Sequence, residues 1–123
     1  MLLCFVVNKC AVSPTGDRLY ITSPSQDKLL TLARDGTLLA TYTDPALDGP
    51  SGLHVTPAGQ VLVCGLLSHT VLQVGWKGES KLATLATKED GVRWPLSVCY
   101  RSTKSSIIVG LMTRDNILVF RVE

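Results

Sequence analysis

A unit of about 43 residues recurs three times in this chain. A chain built that way buries the apolar face of one unit by stacking it on the next. Residues 10–23 read CAVSPTGDRLYITS, residues 53–65 read LHVTPAGQVLVCG and residues 97–110 read SVCYRSTKSSIIVG. Val12, Pro14 and Gly16 fall on Val55, Pro57 and Gly59, each pair 43 apart, and Pro50 and Pro95, which open the second and third rows, are 45 apart. The first two rows carry a Pro/Gly turn, Ser13-Pro14-Thr15-Gly16 and Thr56-Pro57-Ala58-Gly59, between two apolar runs.

Each row reads as strands. Residues 19–22, 61–64 and 107–109 are short apolar runs rich in β-branched or aromatic side chains, followed by 28–32, 70–74 and 116–120. Asp35-Gly36 and Lys77-Gly78 supply hairpin turns. Residues 37–42 and 80–85 then form fourth strands, while the third row reaches Glu123 before one. No amphipathic helix of useful length is found; the window 81–88 holds Thr84 and Thr87 and lies where the period demands strand. The expectation is all-β: a single domain over residues 1–123 with blade-like units at about 9–43, 52–86 and 96–122, the last incomplete. A period of this size matches the four-stranded antiparallel blade of a β-propeller, so about three such blades are expected. Residues 1–8 read as an extra N-terminal strand or extension; their seven apolar residues have no cationic region before them and no small-residue cleavage site after them.

Composition excludes several classes. Hydrophobic residues make up 46% of the chain and charged residues 18%, enough apolar surface to offset chain entropy. No apolar run approaches the ~20 residues of a membrane helix, so no membrane partner is expected. Residues 1–61 carry four cations against five acids and residues 62–123 eight against five, a mild basic bias rather than a dense basic patch. The four cysteines contain no C-x-x-C pair, so no structural zinc site is expected. Cys10, Cys64 and Cys99 sit in apolar runs and read as buried thiols, which suits a reducing compartment and a cytoplasmic location.

The stretch 49–63, GPSGLHVTPAGQVLV, resembles the NHL repeat: a Gly-Pro opening, an apolar strand, a glycine turn and a Val-Leu-Val strand. Residues 19–36 look like the same unit; the third row departs from it, with Ser102-Thr103-Lys104-Ser105 in place of the Pro/Gly turn. The rows are similar to the C-terminal propellers of invertebrate tripartite-motif proteins. That resemblance covers residues 9–122 and implies a six-bladed propeller of which this chain holds about three. It also implies a ubiquitin ligase in which a RING, B-boxes and a coiled coil precede the propeller; none of their zinc-ligand spacings occurs here, so ligase chemistry is not expected of this chain. An arc of three blades leaves its first and last faces uncovered, which fits a piece of a longer chain, a self-associating half-ring or a marginal gene product.

Motifs for a nucleophile elbow, a phosphate loop or a zinc protease are absent from the sequence. His54 reads as a packed strand histidine and His69 as an exposed loop residue, and two histidines 15 apart do not make a metal site. No cofactor is expected. Asp17, Asp35 and Asp90 read as turn caps. In a propeller the loops at 23–27, 44–51, 66–69, 87–94 and 113–115 share one rim, which gathers His69, Lys88, Arg93, Trp94 and Arg114 as candidate partner-binding residues. An arginine beside an indole can anchor a peptide or stack on a base. Asp44, Asp48, Glu89 and Asp90 on the same rim disfavour polyanions. The expected function is therefore a non-catalytic protein-interaction module, with RNA binding as the alternative and a propeller hydrolase, with His54 alone on the inner strands, as the third.

Overall fold

A computed structural model describes residues 9–23, 26–112 and 117–121. The N-terminal segment 1–8 and Arg114 lie outside the described residues. Within them the chain is all-β, a run of three antiparallel meanders. The first sheet holds β1 (Lys9–Val12), β2 (Arg18–Ser23), β3 (Lys28–Ala33) and β4 (Leu38–Tyr42) in sequence order. The second holds β5 (Pro50–Val55), β6 (Val61–Gly65), β7 (Thr70–Val74) and β8 (Lys81–Ala86). The third holds β9 (Pro95–Arg101), β10 (Ser106–Leu111) and β11 (Ile117–Arg121). Two single 3₁₀ turns, Lys88–Asp90 and Ser102–Lys104, interrupt the strands.

Alternation along each strand distributes the core between the sheets, because successive side chains point to opposite faces. Val61 and Val63 on β6 meet Leu72 and Val74 on β7, and this face packs against Tyr20, Leu29 and Tyr42 of the first sheet. Leu62, Cys64 and Val71 point the other way, onto Val98, Ile107 and Val109 of the third sheet. Every residue of β6 is buried as a result. That is why the segment reads as an unbroken apolar run, the signature of a strand covered on both faces. Each such Val or Leu contributes roughly 1.5–3 kcal/mol of burial.

The first strands of successive sheets lie against one another, β1 on β5 and β5 on β9. Two buried hydroxyls tie this seam: Thr22 Oγ1 donates to the Ser51 carbonyl at 3.2 Å, and Ser51 Oγ donates to the Pro95 carbonyl at 2.8 Å. Gly52 sits where the backbones of β5 and β9 come closest; a Cβ there would stand 2.5 Å from Ser97 Cα.

The two repeated turns share their glycine and their hydroxyl cap but differ by one residue in length, Ser13 closing onto Arg18 and Thr56 onto Gln60. Gly16 and Gly59 take φ of 77° and 90°, and their N–H groups donate to the Ser13 and Thr56 carbonyls. Ser13 Oγ and Thr56 Oγ1 accept from the N–H groups of Arg18 and Gln60. The third unit replaces this with the Ser102–Lys104 turn, leaving Ser105 in the left-handed region at φ 45°, where a side chain is strained.

Two of the three thiols expected to be buried are not. Cys64 is buried between the second and third sheets, whereas Cys10 and Cys99 are exposed. Cys10 pairs with Ile21 on the edge strand β1, on the face turned away from the second sheet. Cys99 pairs with Ile108 on the third sheet's outer face, and Val119 on that face is 54% exposed. An apolar run marks a strand but does not say which face of a terminal sheet a side chain occupies.

Candidate binding surfaces at the two ends of the sheets

The loops of one end are stitched to each other in chain order. Asp27 Oδ1 accepts from Gly49 N–H at 2.8 Å, the Asp48 and Gly49 carbonyls accept from Leu67 and Leu66 N–H, and Ser68 Oγ accepts from Asp48 N–H. His69 Nδ1 accepts from Trp94 N–H at 3.0 Å, and the Trp94 carbonyl accepts from Met112 N–H. The His69 and Trp94 rings meet edge to face with centroids 4.6 Å apart. Both residues hold left-handed backbone, φ 55° and 54°, conformations that persist in non-glycine residues where the surroundings impose them. His69 is therefore half-buried rather than the exposed loop residue expected.

The structure brings four of the five candidate rim residues to this place. Burial first, and then the charges of Lys88 and Arg93, hold the His69 imidazole below its ordinary pKa. Lys88 and Arg93 are themselves exposed. Asp90 turns back to accept from Thr87 N–H at 2.9 Å, closing a capping box on the short turn, as its reading as a cap requires. Glu89 stays exposed beside it. His54 lies half-buried on β5, and burial alone lowers its pKa. Among the described residues no three His, Cys, Asp or Glu side chains gather at metal-binding distance.

The opposite end carries a feature that the sequence reading passed over. Three hollows of about 390, 420 and 450 Å³ meet at Ala58, in the turn between β5 and β6. Trp76, in the β7–β8 hairpin turn, forms the wall between the second and third and is 50% exposed. Its indole is flanked by cations: the Arg18 guanidinium carbon lies 4.6 Å and the Lys77 ammonium 5.5 Å from the ring centroid. Tyr20 donates its hydroxyl to the Trp76 carbonyl at 2.6 Å, so the first sheet fixes a turn of the second. The signal was in the sequence as Gly75-Trp76-Lys77-Gly78: an indole in a two-glycine hairpin has no core to enter.

No protein-family model matches the chain, and no curated protein is similar to it in sequence. Its fold has clear parallels among solved structures. Hydrazine synthase of Kuenenia stuttgartiensis superposes over 94% of this chain and 32% of its own, with a TM-score of 0.79 and 18% identity. Virginiamycin B lyase from Staphylococcus aureus matches with a TM-score of 0.67 and 17% identity over 94% of this chain and 41% of its own. The same lyase in a catalytically inactive form with quinupristin gives 0.63 and 16% over the same shares. The fold is a partial β-propeller. The chain spans between a third and two-fifths of the length of these structures. The propeller arc has two loop-bearing ends, and each presents a tryptophan from a loop or turn beside cationic side chains. Among the described residues no helix is long and apolar enough to cross a membrane.

Proposed function

We propose that this propeller arc is a non-catalytic protein-recognition module, the substrate-binding end of a tripartite-motif-like ubiquitin ligase of the NHL class, acting in the cytoplasm. The reading is supported by the rim on which a half-buried indole and imidazole, clasped across two sheets, are bordered by the exposed cations Lys88 and Arg93. A rigid aromatic anchor within a mixed-charge rim is the composition of a protein-binding hot spot. The exposed carboxylate of Glu89 beside those cations favours a partner of mixed charge over a polyphosphate backbone. Cys10, Cys64 and Cys99 are in no disulfide among the described residues, which suits a reducing compartment whichever face they occupy.

RNA recognition is the competing reading, favoured by the pair Lys88 and Arg93 beside Trp94. A photoreactive amino acid at position 93, with a control at exposed position 34, separates the two in extracts of the source cells. Protein adducts specific to position 93 that persist between 50 and 200 mM salt are expected. RNA adducts that fall by about tenfold or more over that range would replace the first reading with the second.

A further inference from the structure

We propose that the Trp76 end of the module is a second binding site, separate from the His69–Trp94 rim, and that it takes an extended peptide carrying one carboxylate among apolar residues. Shape, polarity and an unmet hydrogen-bonding capacity support this. The 420 Å³ hollow has apolar walls in Pro14, Pro57 and Trp76, and the adjoining 450 Å³ hollow lies across the same indole, with Leu82 in its wall. A strand laid over the indole directs alternate side chains to either side of it.

The charge that selects the ligand is Arg18. Its Nε is buried with no hydrogen-bond partner, and the guanidinium is in no ion pair among the described residues. The nearest carboxylate in sequence, Asp17, lines the same hollow and feels the Arg18 charge but makes no ion pair with it. Asp17 Oδ1 accepts from Ser13 Oγ at 2.8 Å and Thr15 Oγ1 at 2.5 Å, and these hydroxyls hold its pKa below the ordinary value. The ring of Trp76 supports the guanidinium as a cation–π platform without satisfying its N–H groups. Nε itself is beyond a ligand's reach, but a ligand carboxylate in the hollow that Arg18 lines can pair with the terminal N–H groups of this otherwise unpaired guanidinium, in a charge-assisted pair. A nucleic-acid strand fits less well: Asp17 and Glu79 line the two hollows with as many charges as Arg18 and Lys77, so no basic track is available for successive phosphates.

The test uses the full chain with Trp94→Phe, which leaves Trp76 as its sole indole. Three probes are titrated against Trp76 fluorescence: capped hexapeptides with Glu fixed at the third position and Leu, Pro, Ala or Ser elsewhere, the same pool with Gln at that position, and decauridine RNA. Saturable binding of the Glu pool is expected. Binding is expected to weaken about tenfold with the Gln pool and in Arg18→Gln, the scale of one charge-assisted hydrogen bond, and to be unchanged in Lys9→Gln, an exposed cation at the other end of the first sheet. Asp17→Asn removes the competing carboxylate and is expected to tighten binding severalfold, a gain that misfolding cannot produce. Equal binding of the Glu and Gln pools, tighter binding of decauridine, no saturable signal, or weakening in Asp17→Asn overturns the proposal.

Discussion

Replacing Gly52 by alanine tests whether the sheets stack as described, because this glycine stands at the seam between the second and third. An added Cβ would lie 2.5 Å from Ser97 Cα, 2.6 Å from the Leu96 carbonyl oxygen and 3.1 Å from Ser97 C. All three are backbone atoms of β9, so no flexible side chain can yield. Carbon atoms rest at about 3.5–4.0 Å, so β9 must recede by roughly 1 Å. Such a gap removes a quarter to a half of each dispersion contact it crosses. It also stretches the bond from Ser51 Oγ to the Pro95 carbonyl, now 2.8 Å. Overpacking of this kind costs about 1–3 kcal/mol and the strained hydrogen bond about 1 kcal/mol more, so the expected loss is about 2–4 kcal/mol. Gly75→Ala is the control. Its Cβ would meet its nearest neighbours at 3.8–3.9 Å, an ordinary contact, and its φ lies outside the left-handed region. There alanine only restricts the unfolded chain and is expected to stabilise by about 0.4–1 kcal/mol. Urea unfolding followed by tryptophan fluorescence reads both variants, with opposite signs expected. A Gly52→Ala midpoint indistinguishable from wild type, at unchanged m-value, would refute the seam.

The remaining tests are simpler. Iodoacetamide at pH 8 should label Cys10 and Cys99 in the folded protein and spare Cys64, whose burial pushes its thiol pKa up to about 12; peptide mass mapping reads the difference. His54 and His69 both have folded pKa values below the ordinary 6.5, so the unfolded chain binds more protons just below that pH. Stability should therefore be complete above about pH 7 and fall as pH drops through 6.5, with the slope lost in the double glutamine variant; urea midpoints at pH 7.5 and 5.5 check this. Ile117 and Val119, 66% and 54% exposed on the outer face of the third sheet, should promote self-association, and changing both to lysine should raise the monomer fraction in sedimentation velocity.

Strands and turns were legible because they are local. Period-2 alternation and the Pro/Gly turns at 13–16 and 56–59 place β2, β3, β6 and β7 within a residue of where they lie. What depends on the neighbouring sheet was not legible. Cys10 and Cys64 sit in similar apolar runs, yet one lies on an open face and the other between two sheets. His69 lies in the β6–β7 loop as expected, but its partial burial was not legible because nothing nearby in sequence reveals that Trp94 closes over it. The rim candidates could be chosen because loops at one end of a meander recur at fixed positions in each unit. The Trp76 surface is not legible in the sequence because Arg18, which gives the indole its chemical character, comes from another unit.

The two tryptophans obey one rule: each is held by a residue of the preceding sheet. Tyr20 and Arg18 of the first sheet hold Trp76 of the second, and His69 of the second sheet holds Trp94 at the entrance to the third. Preorganisation of either surface therefore depends on one seam, not on the stability of the whole domain. Gly52→Ala opens the seam between the second and third sheets, next to Trp94, while the Tyr20–Trp76 bond spans the seam before it. In single-tryptophan backgrounds at low urea, this substitution should shift Trp94 emission to the red and leave Trp76 emission unchanged. Tyr20→Phe should do the converse, because it leaves the Trp76 carbonyl without its donor and leaves His69 in place. If both substitutions moved both indoles together, the arc would be a single cooperative unit, and neither surface could be tuned without the other.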